Sequence, residues 1–162
     1  MIRDGVNRIA VVPLSVPAAA LTATRTSQIL DLQGFDSVAI IFDIGALTGS
    51  DATTNYLSLK LQESDTIVGA SFTDVATTNT NIPLGGIVGD YPRNGSPVAI
   101  IGTGSTTLPS NSYKLGYIGT KRYIRAVITV TGTISAGVAS ITAILERGNY
   151  APPTAPAAIT AT

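Results

Sequence analysis

Carboxylates carry most of the chemistry open to this sequence. It holds ten Asp and Glu, no His and no Cys, which removes the usual nucleophile–base pairs and most transition-metal sites. Two carboxylates flanking a sugar bond would suffice for glycoside hydrolysis. However, Asp31, Asp36, Asp43, Asp51, Glu63, Asp65, Asp74, Asp90 and Glu146 fall mostly at the ends of predicted strands or in loops. Acids there form turns, so no catalytic residue is expected and the chain is not expected to be an enzyme. Hard cations want several oxygens. Asp51 with Asn55, or Asp65, supplies too few, in a spacing unlike an EF-hand, so solvated turns are expected and neither metal nor cofactor. Gly102-Thr103-Gly104 lacks the Lys-Ser/Thr that completes a phosphate loop.

What remains is one basic cluster, Lys121, Arg122 and Arg125, interleaved with Tyr117 and Tyr123. Two readings stay open. Arg125 and Tyr123 line the outer face of a strand and pair with an acid such as Glu146 or Asp43. Alternatively, the cluster projects toward a partner protein, since Tyr and Arg are favoured interface anchors. Partner-contact candidates are therefore Lys121, Arg122, Tyr123 and Arg125, together with Arg3, Arg8, Val11 and Leu14 in the N-terminal stretch.

The cluster belongs to residues 113–146, which read as three successive strands joined by short turns, a meander. In the second, Ile124, Ala126, Ile128 and Val130 share one face, while Tyr123, Arg125, Thr129 and Thr131 share the other. In the third, Ala139, Ile141, Ala143 and Leu145 fall on a single face. This period of two marks strands with one side in a core and one side wet. Such faces need a second layer to cover them. Upstream, residues 38–44 (VAIIFDI) form the most apolar strand, with Val38, Ile40, Phe42 and Ile44 facing one way and Asp43 the other. Residues 56–62 place Leu57, Leu59 and Leu61 inward. Shorter strands are predicted at 28–32, 67–75 (anchored by Phe72 and Val75) and 98–101, with polar loops at 45–55, 76–93 and 102–112. Seven or eight strands, no helix and mixed connection lengths predict an all-β fold: an antiparallel β-sandwich of jelly-roll or Greek-key type.

Residues 27–147 are the predicted body. Residues 1–26, interrupted by Pro13 and Pro17, read as an extended arm, either crossing to a neighbour or closing the edge of the chain's own sheet. Residues 148–162 form a Pro/Ala/Thr-rich tail, expected to be extended and poorly packed unless something holds it. Charged residues make up only 12% of the chain, with ten Lys and Arg balancing ten Asp and Glu. A neutral chain argues against nucleic acid as a partner. No apolar run approaches the roughly 18 residues of a membrane span, and the N-terminus does not resemble a secretion signal.

Three stretches carry a family likeness: SQILDLQGFDSVAIIFDIG at 27–45, LQESD at 61–65 with FTDV at 72–75, and YIGTKRYIRAVITVTGT at 117–133. They resemble small virion proteins of tailed bacteriophages, specifically capsid decoration (cement) proteins. The resemblance implies a homo-oligomer, most often a trimer, that sits on the outside of the phage head. It would be made in the host cytoplasm and bridge neighbouring major capsid protein subunits. A carbohydrate-binding or adhesion module is the alternative from another class; a head–tail connector or tail protein is another virion part.

Overall fold

Alternating side chains sort the chain into two antiparallel sheets with one core between them. The computed structural model describes residues 9–17, 21–51, 53–75, 80–81, 99–101, 107–146 and 158–159. At the centre of the first sheet is β4 (Ser37–Ile44), whose Val38, Ile40, Phe42 and Ile44 are buried. It is flanked by β13 (Ala139–Glu146) on one side and β11 (Asn111–Tyr117) on the other. β1 (Ile9–Ser15) extends the sheet beyond β13, and β8 (Thr80–Asn81) extends it beyond β11.

The second sheet is built on β6 (Tyr56–Ser64) and β12 (Tyr123–Thr131), paired without interruption from Tyr123 against Ser64 to Thr131 against Tyr56. β2 (Arg25–Thr26) and β3 (Leu30–Asp31) border β12. β7 (Thr73–Asp74) and β9 (Ala99–Ile101) border β6. A short ribbon joins β5 (Leu47–Thr48) to β10 (Thr107–Leu108). Leu57, Leu59, Leu61, Ile124, Ala126 and Ile128 from the second sheet meet Ile40, Phe42, Leu115, Ile141, Ala143 and Leu145 from the first in a single core.

The pairings follow one rule. Ile9 lies opposite Glu146, Arg25 opposite Ile128, Leu30 opposite Ile124, Val38 opposite Tyr117, Leu47 opposite Leu108 and Leu57 opposite Ile101. Both members step inward together, so the chain is one long antiparallel ribbon doubled back near its middle. Rolling that ribbon adds the remaining neighbours, β13 beside β4 and β12 beside β6. A rolled ribbon of this kind is the jelly roll, which covers its apolar faces sheet against sheet.

This connectivity corrects the expected meander. β11, β12 and β13 do not pair with one another: β11 and β13 take the two sides of β4, and β12 goes to the other sheet. Periodicity fixes the face a side chain takes, not the strand beside it, and both arrangements bury the same residues. The links between these strands are therefore crossings from sheet to sheet. In the first, the Tyr117 hydroxyl donates to Glu63 Oε2 (2.6 Å) and accepts the Lys121 N–H (2.9 Å). Gly119 packs so closely that a Cβ there would lie 2.3 Å from that hydroxyl. The second begins at Gly132, where φ is +70° and a Cβ would lie 2.1 Å from the Thr54 carbonyl oxygen, so only glycine fits without strain.

Other boundaries also move. Part of the expected arm lies within the body: β1 closes the edge of the first sheet, and Leu21 is buried with its N–H on the Gly137 carbonyl (2.8 Å). Pro13 is tolerated because β1 is an edge strand and its register slips between Pro13 and Ser15, a bulge that needs no donor there. The strand expected at 67–75 contracts to a 3₁₀ turn (Gly69–Ser71) and β7. Its two anchors separate, Val75 in the core and Phe72 outside it. The loop expected at 76–93 lies largely outside the described residues.

Candidate docking surface

Each sheet has an outer face, and the two are built differently. On the second sheet, long side chains cover what is apolar. Arg125 stacks its guanidinium over Phe72 (4.4 Å to the ring centroid) and donates from Nε to Gln62 Oε1 (2.8 Å). Gln62 and Lys60 both donate to Asp74, at 2.7 and 2.9 Å. Burial alone would raise the Asp74 pKa, but these donors outweigh it and leave the carboxyl below its ordinary value. Arg122 forms a two-pronged pair with Asp31 (Nε to Oδ1 3.0 Å, Nη2 to Oδ2 2.7 Å) and lies 4.9 Å from the Tyr123 ring centroid. This pair holds Asp31 below the usual carboxylate range. Lys121 donates to Asp65.

The basic cluster is thus spent on the chain's own acids. The acids are Asp31 and Asp65, with Gln62 for Arg125, rather than the expected Glu146 and Asp43, which belong to the other sheet. Val11 is 54% exposed. Leu14, expected to contact a partner, is instead buried in the core at 2% exposure because it continues the inward alternation of Ala10 and Val12 along β1. Arg3 and Arg8 lie outside the described residues.

Among the described residues, the first sheet's outer face has no such cover. Its outward positions run in registered rows: Val11, Ile144, Ala39 and Gly116 in one, Pro13, Thr142, Ile41 and Lys114 in the next. Val11 and Pro13 are exposed, and Ile144, Ala39, Thr142 and Ile41 are half-buried. Ile9 adds to the rim at 39% exposure. Charge is marginal: Glu146 accepts from Ser37 (3.5 Å), Asp43 accepts from Ser112 (2.5 Å), and Lys114 ends a row. Ala39, Ile41 and Ile144 were not singled out in the sequence. The signal was the unbroken run VAIIFDI, since a strand apolar on both faces is one that expects cover on both.

Among the described residues, the carboxylates considered for catalysis or cation binding are scattered and engaged; Asp90 lies outside them. Asp51 accepts from the Thr54 and Thr53 N–H groups (2.6 and 2.8 Å), the Thr54 hydroxyl (2.7 Å) and Asn55 Nδ2 (2.6 Å). These donors, the Thr54 N–H foremost, hold it far below the usual carboxylate range. Its oxygens are occupied in shaping the loop that cradles Gly132. Among the described residues, no three acids gather as a metal site would require. A cleft of about 620 Å³ opens at one end of the sandwich between Leu32, Phe35, Ile118, Lys121 and Arg122, but its two cations are the ones already paired.

The sequence matches no protein-family model and no curated protein. Among solved structures, the chain is similar to the SPBc2 prophage-derived protein YomS, at 11% identity and TM-score 0.40 over 85% of this chain and 91% of that one. It is also similar to a protein of the disulfide-linked pili of Bacillus endospore appendages (14%, TM-score 0.34, 86% and 88%). A third is a protein of infectious bursal disease virus, Gx strain (10%, TM-score 0.39), where the match covers 91% of this chain but 34% of that one. Two of these three are of prophage or viral origin. The likeness is loose.

Proposed function

We propose that the protein is a structural virion component that binds the outside of a bacteriophage capsid and stabilises it by bridging neighbouring major capsid protein subunits. The outer face of the first sheet is the docking surface. The observation that carries the reading is the contrast of faces: Val11, Ile144, Ala39 and Ile41 stand in adjacent rows with no side chain laid over them among the described residues, whereas the opposite face is closed by paired cations. A neutral chain with one face whose charges, Asp43, Lys114 and Glu146, stand at its margins suits packing against a protein shell. The carbohydrate alternative asks for exposed rings, and the described outward positions of this face carry no aromatic side chain.

At about 4.8 Å between strands and about 3.3 Å per residue, the four main strands present roughly 350–450 Å². That is about half of the ~800 Å² per partner in a standard interface. One copy alone would hold weakly, and a homo-oligomer, a trimer for preference, gains the remainder through avidity on a repeating lattice.

The test is cosedimentation with empty heads of the phage that encodes the chain. Ile41→Asp puts a charge in the middle of the face while leaving the core alone. Losing a central anchor worth about 2 kcal/mol or more should weaken binding by at least about 30-fold, with circular dichroism unchanged. Full binding by a folded Ile41→Asp variant rejects this face, and failure of the unmodified chain to bind heads rejects the function.

A further inference from the structure

The cleft at one end of the sandwich has two walls, and both are held in place by the chain itself. One wall is the turn from β3 to β4. There the Leu32 N–H donates to the Arg122 carbonyl (2.9 Å), the Phe35 N–H to the Leu32 carbonyl (3.1 Å) and the Asp36 N–H to the Glu146 carbonyl (3.0 Å). Asp31 Oδ1 accepts the Gln33 N–H (2.9 Å) in the same turn. The other wall is the crossing from β11 to β12, pinned by the Lys121 N–H on the Tyr117 hydroxyl (2.9 Å). Arg122 ties the walls together, its carbonyl bonded to Leu32 and its guanidinium to Asp31. At about 620 Å³ the space between them is of the size that takes a small organic ligand.

The lining narrows what that ligand is. An anion is disfavoured, because Lys121 and Arg122 are matched by Asp65 and Asp31, and Asp36 adds a further carboxylate. A peptide strand is disfavoured as well. The backbone donors of Leu32, Gln33, Phe35, Asp36 and Lys121 are already bonded, so these walls offer it no ladder. What they do offer is side-chain hydrogen bonding of both kinds. Arg122 spends two of its guanidinium N–H donors on Asp31, and Lys121 one of its ammonium donors on Asp65, which leaves both with donors to spare. Among the described residues the Gln33 amide and the Thr120 hydroxyl have no partner, and each can donate and accept. Beside these polar groups stand Leu32 and Phe35, half-buried, and Ile118, which is 66% exposed. Phe35 supplies here the ring that the outer face of the first sheet lacks.

We propose that this cleft binds a neutral sugar, presented as the terminal ring or rings of a glycan. A pyranose carries hydroxyls around its edge that both donate and accept, and a face of C–H bonds that sheds water against apolar side chains. Gln33, Thr120, Lys121 and Arg122 meet the hydroxyls, while Phe35 and Ile118 meet the C–H face. A few fixed polar groups among apolar ones is how small-ligand sites set orientation. Sugar binding and head binding use different parts of the molecule, so either can fail and leave the other standing.

The test is saturation-transfer NMR on the full chain with glucose, galactose, mannose, rhamnose, N-acetylglucosamine and lactose. Each is used at about 10 mM, enough to fill most of a site with a Kd of ~1 mM. At least one of these sugars should receive saturation. Titrated into isotope-labelled protein, it should shift backbone amides within residues 32–38 and 117–122. Gln33→Ala and Ile118→Ala change exposed side chains, so Tm should stay where it is. Each should weaken binding of that sugar about fivefold. Inorganic phosphate and N-acetylneuraminate, the charged controls, should bind more weakly than the neutral sugar. No saturation of any panel sugar overturns the proposal, as do shifts confined to other residues. Unaltered affinity in either variant, or a charged control that binds more tightly than every neutral sugar, overturns it as well.

Discussion

The two outer faces come from the same kind of strand, yet only one is finished. On the second sheet an exposed ring or β-branched side chain is followed by something long enough to lie over it. Arg125 shields Phe72, and Lys60 stands in register with Val127, which is only 4% exposed. On the first sheet one row is short throughout, Val11, Ile144, Ala39 and Gly116, and the next carries a single long stem, Lys114 beside Ile41 at its end. Long cationic stems can cover apolar surface while their heads stay in water. A face that has them is complete in solution, and a face without them is complete only against something else. The proposed docking surface rests on this difference, on what each sheet's outer face lacks among the described residues.

The sharpest way to break the comparison uses neighbouring residues. Ile40 and Ile41 are adjacent on β4, one fully buried between the sheets and the other on the outer face. Ile40→Asp places an unpaired carboxylate in the core and should cost about 4–5 kcal/mol or more, enough to abolish the cooperative melt. Ile128→Asp should do the same from the opposite sheet. Ile41→Asp should stay within about 1 kcal/mol of the parent. If thermal denaturation shows Ile41→Asp collapsing with Ile40→Asp, that outer face is internal packing and not a docking surface.

Next in size is the crossing that divides the sheets. Gly132→Ala forces a side chain into a left-handed backbone position and against the Thr54 carbonyl. The expected loss is about 1–3 kcal/mol, a drop of several degrees in Tm that urea titration should reproduce. An unchanged Tm would mean that the Asp51–Asn55 loop yields easily.

Face assignments were legible in the sequence, and neighbours were not. The alternations in β4, β6, β12 and β13 place Phe42, Leu59, Ile128 and Ile141 in the core as expected, because burial of alternate residues is a local property. Whether β12 sits beside β11 or β6 depends on how a ribbon spanning most of the chain rolls, and no short window carries that. The basic cluster misled for a related reason. Lys121, Arg122 and Arg125 look available until Asp31, Asp65 and Gln62 are brought beside them by strands distant in sequence. The apolar run of β4 already held half of the proposed docking surface; what no short window shows is that Ile144 and Val11 continue it.

Arg125→Ala sharpens the same comparison by unfinishing the covered face. It removes the stacked guanidinium from Phe72 and the bond to Gln62, at a cost of about 1–2 kcal/mol. The variant should also bind an apolar-surface dye such as ANS, which the parent's second sheet excludes. Stability loss without new dye binding would show that Phe72 is covered by its other neighbours.

The smallest effect is the part of acid weakening that comes from the covered face, beside the separate decline from Asp51, whose own loop lowers its pKa. Asp31 and Asp74 both have folded-state pKa values below the ordinary 3.8. A carboxylate lowered on folding contributes stability above its unfolded pKa and loses it as pH falls through the folded one. Stability should therefore be level from neutral pH to about 5 and decline below about 4. Exposed pairs of this kind contribute about 0–1 kcal/mol each, so the decline is shallow, and Asp31→Asn should flatten part of it. Among the described residues, the outer face of the first sheet has no cation–carboxylate pair in its central rows to lose over that range. If the apolar face does the docking, head binding by the protein should hold to lower pH than the second sheet's contribution to stability. A fall in binding that tracks the Asp31 and Asp74 titration would move the docking surface to the paired face instead.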